Sequence, residues 1–308
     1  MSIVAAIDVG SNAMRMAIAR ISGSGRFDIM ATSREAVRLG EDVFSSGVIA
    51  DETIRRAAEG FVRFRDLMDQ NKACHVRAVA TSASREAKNR DILVEAIRGS
   101  SGIELSVISA EEEARLIHDV VASRIELGPG PALLVELGGG SVEATISVGG
   151  SLIETACFML GAVRLKRNMK TESDESIRKL IAPHIDEMRR WMGRVLGDRP
   201  VGICVGTGGN VECLDDLRKS WFDLSGSGIT LEQMRDMSRR LQAMGSDERI
   251  RNLGLRPDRA DVIVPAVLVF AEIMAIAGVP NIKVPCVGLK EGLLHDFSRG
   301  TAFGARTT

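Results

Sequence analysis

The chain has 308 residues, and its 40 Lys and Arg against 41 Asp and Glu leave a formal charge of −1. No global field therefore draws it to nucleic acid or to an anionic membrane, and any polyanion must be held by a local site. The length suits two domains of ordinary size, each with its own core. In chain order, an apolar run reaching Asp8 and a second at Met14 to Ile21 make a hairpin around the small-residue turn of Asp8-Val9-Gly10-Ser11-Asn12, and Phe27 to Ala36 reads as a third strand. A helix follows over Asp51 to Met68, a strand over His75 to Thr81, a helix over Arg85 to Ile97, a strand over Ile103 to Ile108 and a helix over Glu111 to Ile125, so the first half is expected to be βββαβαβα. Leu127-Gly128-Pro129-Gly130-Pro131 breaks all periodicity and marks the expected domain boundary after residue 126. The pattern then restarts with strands at Ala132 to Glu136, Val142 to Val148 and Leu152 to Phe158. Helices are expected at Glu172 to Leu196, Leu231 to Met244 and Arg259 to Ala277, interleaved with Val201 to Val205 and Ile282 to Pro285.

Five widely spaced cysteines (Cys74, Cys157, Cys204, Cys213, Cys286), mostly inside apolar runs, read as reduced core thiols of a cytosolic protein. The four histidines have no pair at ligand spacing and read as structural. No apolar stretch nears membrane-spanning length and the start carries no leader pattern, so a cytoplasmic protein without membrane or nucleic-acid partners is expected.

One unit occurs twice. Ile7-Asp8-Val9-Gly10-Ser11-Asn12 and Val135-Glu136-Leu137-Gly138-Gly139-Gly140-Ser141 each take an apolar run to one carboxylate, then to small residues that permit a tight turn, then to a second apolar run. Turns of this kind aim several backbone N–H groups at one spot, a concavity suited to phosphate oxygens. Ser109-Ala110-Glu111-Glu112-Glu113 lies where a strand passes into a helix. Ser109 with Glu112 has capping-box spacing, and Glu113, left without a local structural task, is a candidate general base. In Thr81-Ser82-Ala83-Ser84-Arg85, Arg85 reads either as a solvated charge or as a fork onto a phosphate at a helix start. Gly206-Thr207-Gly208-Gly209-Asn210 falls one glycine short of a dinucleotide fingerprint, because Val211 takes the third position; a plain strand-to-helix turn and a ligand loop both fit. Arg164, Lys166, Arg167 and Lys170 read as a solvated helix face that could also guide a polyanion.

These segments, together with Gly161-Ala162-Val163-Arg164-Leu165 and Gly288-Leu289-Lys290-Glu291-Gly292-Leu293-Leu294, resemble, in order and nearly end to end, the motifs of the exopolyphosphatase / guanosine pentaphosphate phosphohydrolase family. The resemblance implies an α/β fold of duplicated actin/hexokinase/Hsp70-like (ribonuclease H-like) domains facing a central cleft, as residues 1–126 and 127–296, with 297–308 returning to the first. It also implies hydrolysis of the terminal phosphoanhydride of polyphosphate or guanosine pentaphosphate, with Mg²⁺ or Mn²⁺, by a cytoplasmic homodimer of the short, two-domain type. In these terms Glu113 resembles the base, and Glu136 and Glu143 the groups that hold metal or position water; as a hard oxygen donor Asp8 can join them on Mg²⁺. Arg85, Ser11, Asn12, Gly138, Gly139, Gly140, Ser141, Gly208 and Gly209 resemble the phosphate-binding set.

Several positions depart from the pattern: Glu136 stands for the usual Asp, Ala13 for a hydroxyl residue, Ala110 for Gly, Asn210 for Thr and Lys290 for Arg. The extra methylene at 136 displaces the carboxylate by about 1 Å, enough to disturb a near-attack geometry, and Lys290 loses bidentate anion recognition. The second reading is therefore a weakly active member that binds polyphosphate or an alarmone nucleotide as a sensor. A phosphotransferase of the same superfold comes third, for want of an adenosine-binding pattern.

Overall fold

Three strands open the chain in antiparallel succession, β1 (Ser2–Val9), β2 (Met14–Ser22) and β3 (Arg26–Glu35). There follow α1 (Leu39–Ser46), α2 (Asp51–Gln70), β4 (His75–Ala80), α3 (Ser82–Glu86), α4 (Arg90–Ser101), β5 (Leu105–Val107) and α5 (Ala110–Arg124). The computed structural model describes residues 2–22, 26–222 and 228–300. In the first sheet the strands lie in the order β3-β2-β1-β4-β5, with β4 parallel to β1 and β5 parallel to β4. Val4, Ala5, Ala6 and Ile7 are all fully buried, so β1 is an unbroken apolar run and not an alternating one, as a strand covered on both faces must be. Ile54, Ala57, Phe61, Phe64 and Met68 fall on one stripe of α2 and are buried, the Phe61 and Phe64 rings meeting at 5.7 Å.

The pattern then repeats. β6 (Pro131–Leu137), β7 (Val142–Val148) and β8 (Ser151–Phe158) form a second antiparallel trio, followed by α6 (Ala162–Asn168), α7 (Asp174–Leu196), β9 (Ile203–Thr207) and α8 (Gly209–Phe222). β10 (Ile229–Thr230), α9 (Leu231–Gln242), α10 (Ser246–Leu253), α11 (Pro257–Ala260), α12 (Ile263–Ala277), β11 (Asn281–Ile282) and α13 (Leu289–Ser298) complete the described elements. The strand order is β8-β7-β6-β9, with β9 parallel to β6. Lys283 adds a parallel bridge to Val205, where its N–H donates to the Cys204 carbonyl and its carbonyl accepts from Gly206, so a further segment lies beside β9 as β5 lies beside β4. α12 is apolar at every position but Glu272 and buried over most of its length from Ile263 to Met274, the signature of a core helix.

Two expected helices are broken. Arg85 to Ile97 is divided between α3 and α4, because the Asn89 side chain donates to the Ile49 carbonyl and accepts from the Ile49 N–H, both at 2.8 Å, pinning the chain between them. Arg259 to Ala277 is divided at Asp261 and Val262, which puts Pro265 in the first turn of α12, where its missing N–H costs nothing. Of the cysteines, Cys204 is buried, with its thiol pushed up to about 12 by desolvation, but Cys74, Cys157 and Cys286 are exposed and so are not core thiols.

The chain divides into two compact units, the first running to Val120 and resuming at Val287, the second from Val121 to Cys286. The Gly/Pro segment at 127–131 thus marks where α5 ends and not where contacts change, since α5 itself carries the chain across the division. The return begins ten residues before the expected 297: α13 packs on β1, β2 and β3. Residues 301–308 of the expected returning segment lie outside the described residues. Among the described residues no helix is long and apolar enough to cross a membrane.

Candidate active site

The candidate residues fall into two sets, one in each unit, and each set is built locally. In the first, the turn between β1 and β2 is closed by Gly10 N–H donating to the Ala13 carbonyl at 3.1 Å. The Ser11 carbonyl accepts from Gly40 at 2.8 Å, the Asn12 carbonyl from Arg38 at 3.2 Å, and Ser11 Oγ from the Ala83 N–H at 3.2 Å. The last bond ties the turn to the first residues of α3. That short helix carries Arg85, whose Nη1 donates to Glu113 Oε2 at 2.6 Å and to the Ile108 carbonyl at 3.3 Å. Glu113 is 6% exposed, so a carboxylate and a guanidinium meet where little water reaches them.

Three consecutive glutamates open α5, and the helical step of about 100° per residue sends them in three directions. The Glu111 carboxyl is held below the usual range by its own backbone N–H and by the Ser109 hydroxyl. Glu112 donates its N–H to Ser109 Oγ at 3.1 Å, but its carboxylate is taken by Arg77 Nη2 at 2.6 Å. The expected capping box is thus seen in one half only, with Glu112 serving Arg77 instead of the cap. Glu113 turns to Arg85.

Asp8, at the end of β1, stands directly opposite Arg15. Burial pushes its carboxyl up, against the opposing pull of Arg15 and Lys290. Lys290 Nζ also pairs with Glu291 Oε1 at 2.5 Å, and Glu291 Oε2 accepts from Gly288 N–H at 3.0 Å, so Lys290 is bound at the start of α13.

In the second unit the same turn recurs: Gly138 N–H donates to the Ser141 carbonyl at 3.0 Å. Its other carbonyls are gripped from one side. Gly139 accepts from the N–H groups of Val163 (2.9 Å) and Arg164 (3.1 Å), Gly138 from Ala162 (3.0 Å), and Gly140 from Gly161 N–H (3.2 Å) and Arg164 Nε (2.8 Å). Approach is so close that a Cβ on Gly161 would lie 2.1 Å from the Gly140 carbonyl carbon. With carbonyls committed to α6 and the Gly138 N–H spent inside the turn, the donors available to a phosphate are those of Gly139, Gly140 and Ser141. Arg164 is therefore a brace for the loop and not a solvated guide for polyanions, and Lys166 pairs with Glu172 at 2.7 Å.

Glu136 and Glu143 are direct cross-strand partners on β6 and β7, so their side chains share a face. The Ser141 hydroxyl donates to Glu143 Oε1 at 2.5 Å, and the Gly208 position packs against the Glu136 carboxylate. α8 begins at Gly209 immediately after β9, and Asn210 fixes that turn: its Nδ2 donates to the Leu137 carbonyl at 2.7 Å while Arg259 donates to its Oδ1. The Gly206 to Asn210 segment is thus a strand-to-helix turn held beside the glycine loop. Asn210, met in the sequence as a departure, makes bonds that a threonine could not reproduce in full.

No group of three or more His, Cys, Asp or Glu side chains forms a metal cage among the described residues. Mg²⁺ needs no such cage, only one or two carboxylates besides phosphate oxygens and water. Two carboxylates facing each other across a strand pair repel unless a cation or proton lies with them, so Glu136 and Glu143 fit a hard divalent ion.

The model of the Ppx/GppA phosphatase family matches residues 17–299. The chain belongs to the Ppx/GppA phosphatase family. With the family comes the class of chemistry, a phosphatase acting on phosphoanhydrides. The crystal structure of a Ppx/GppA family member from Aquifex aeolicus is 26% identical, with a TM-score of 0.78, over 98% of this chain and 99% of that one. That of an exopolyphosphatase from Cytophaga hutchinsonii has a TM-score of 0.89 at 23% identity, over 99% and 100%, and shares the fold. An exopolyphosphatase-like protein is 24% identical with a TM-score of 0.85. The fold of this Ppx/GppA phosphatase is α/β, with the same order of three antiparallel strands and one parallel strand in each unit. Within its units the structure brings together Ser11 with the Arg85 helix, Arg85 with Glu113, and Glu136 with Glu143, Ser141 and Gly208. Arg77, Asp296 and Arg259 are long-range partners that no local sequence pattern marks.

Proposed function

We propose that this Ppx/GppA phosphatase releases terminal phosphate from inorganic polyphosphate, with guanosine pentaphosphate as the other substrate, by attack of a water activated by Glu113. The observation that supports it is the placement of Glu113: a buried carboxylate on the first turn of α5, 2.6 Å from an arginine whose helix is bonded to the Ser11 turn. Arg85 is matched to phosphate as well as to carboxylate, so an arriving terminal phosphate competes for it. Transfer of Arg85 to the phosphate frees Glu113 to accept a proton. A water then attacks the terminal phosphorus, its proton passes to Glu113, and the bridging P–O bond breaks with its electron pair leaving on the shortened chain. In the first unit the guanidinium holds the equatorial oxygens, the electrostatic part of the catalysis; in the second, the N–H groups of Gly139 to Ser141 are donors suited to phosphate oxygens. Glu136 and Glu143 would hold Mg²⁺, which when bound would neutralise phosphoryl charge.

The departure at Glu136 favours the sensor reading, in which ligand leaves the Arg85–Glu113 pair closed and Glu113 neutralised. Phosphate release from long-chain polyphosphate and from guanosine pentaphosphate, with Mg²⁺, alongside calorimetric binding of each, separates the two. Turnover of either supports the hydrolase; tight binding of both without release supports the sensor.

A further inference from the structure

Glu113 is aimed by the helix that carries it, and α5 is gripped from outside the candidate site. Behind Glu113, Glu112 Oε1 accepts from Arg77 Nη2 at 2.6 Å, and Nη1 of the same guanidinium donates to Asp296 Oδ2 at 2.9 Å. Asp296 also receives Arg115, one helical turn beyond Glu111, at 3.2 and 3.5 Å, and Arg115 continues to Asp119 at 3.2 Å. Asp296 raises the proton affinity of Arg115 more than any other neighbour does, and its own side chain is only 8% exposed. On α13, Gly292 lies one turn before Asp296 and so on the same face. There the helix meets α5 backbone to backbone, since a Cβ on Gly292 would stand 2.6 Å from the Leu116 carbonyl oxygen. α13 thus lays a glycine against the middle of α5 and an aspartate between an arginine of α5 and an arginine of β4.

We propose that Asp296 and Arg77 are positioning residues: the chain Asp296–Arg77–Glu112, with Asp296–Arg115 beside it, fixes the rotation of the first turn of α5 and thereby the direction of the Glu113 carboxylate. This rests on the reading of Glu113 as the base. Arg77 forks between two carboxylates on different elements, so it senses where α13 and α5 lie along β4; a lysine cannot span both. A network that served stability alone would lower the melting temperature and leave the rate per folded molecule intact. A network that aims the base lowers kcat and spares KM, because the phosphate contacts at Arg85 and the glycine loop are untouched.

The test is steady-state phosphate release from polyphosphate with Mg²⁺ for Asp296→Asn, Glu113→Gln and the double variant, each normalised to folded protein by circular dichroism and thermal melting. Asp296→Asn is expected to lower kcat by roughly tenfold or more, as small misplacements of a reacting group do, with KM changed by less than about twofold. In the Glu113→Gln background it is expected to lower kcat no further, because its effect on chemistry runs through Glu113. An equal loss in both backgrounds, or a wild-type kcat in Asp296→Asn, overturns the positioning role. A wild-type rate in Glu113→Gln overturns the base itself and this role with it, and so is told apart from the first failure. Should Asp296→Asn not fold, Arg77→Lys and Glu112→Gln interrupt the same chain at its middle and at its exposed end; the same pattern of falling kcat, steady KM and no added effect over Glu113→Gln is expected, and its absence overturns the role.

Discussion

Asp8 and Glu136 occupy the same place in two copies of one hairpin, yet their cross-strand partners differ: Arg15 opposite Asp8, Glu143 opposite Glu136. The first acid, half-buried, stands beside positive charge and has its carboxyl pushed up by desolvation; the second stands with another acid. Since Asp8 has a folded pKa above its unfolded 3.8, the native state binds more protons there, so stability falls as pH rises from about 3.8 through the folded value. Asp8→Asn is expected to melt higher than wild type at neutral pH in chelator, the advantage vanishing below pH 3.8; an advantage that persists in acid would place its cause elsewhere. For the acid pair, Glu136→Asp is expected to retain or raise the rate across a Mg²⁺ titration and Glu136→Ala to lose most of it, with a wild-type rate for alanine at every metal concentration showing that 136 has no catalytic part. Arg85→Ala is expected to weaken substrate binding strongly and Arg85→Lys to recover only part of it, because an ammonium cannot fork onto two phosphate oxygens; full recovery would reduce Arg85 to a point charge. At this scale the acids and the turns were legible, since a tight turn after a strand needs small residues. The pairs were not. Arg85 and Glu113 are 28 residues apart and Arg77 and Asp296 are 219 apart, separations at which no periodicity speaks.

At the scale of elements, the glycine loop of the second unit is shaped by the helix that follows it. Carbonyls at 138–140 are drawn to the start of α6, and the chain there passes within a single atom's width at Gly161. Gly161→Ala is expected to cost roughly 1–3 kcal/mol of stability by overpacking and to raise KM for polyphosphate; a melt and a KM within error of wild type would show that the loop has room to yield. Strands β2, β6 and β7 were readable to within one residue because each runs into or out of a small-residue turn through a mainly apolar stretch. The helix breaks at Ala87 to Asn89 and at Asp261 and Val262 were not, because each depends on a tertiary partner or a proline position that a periodic count passes over. α6 was hidden because seven residues, Ala162–Asn168, give too few turns for a period.

For the molecule as a whole, two units share one strand plan, β3-β2-β1-β4 and β8-β7-β6-β9, from sequences whose only obvious likeness is an acid before a glycine turn. The duplication was legible from that unit alone, whereas the return at Val287 was misplaced by ten residues because α13 carries no composition change to mark it. The proposed hydrolysis turns on Glu113 as the base. Its most direct measurement is the initial rate of phosphate release from long-chain polyphosphate, with Mg²⁺, by wild type and by Glu113→Gln at equal folded concentration. The expected result is turnover by wild type and a fall of about 10²- to 10⁴-fold in the variant, with a melting temperature close to wild type, since glutamine keeps the shape and loses the proton acceptor. Equal rates for the two proteins would contradict it.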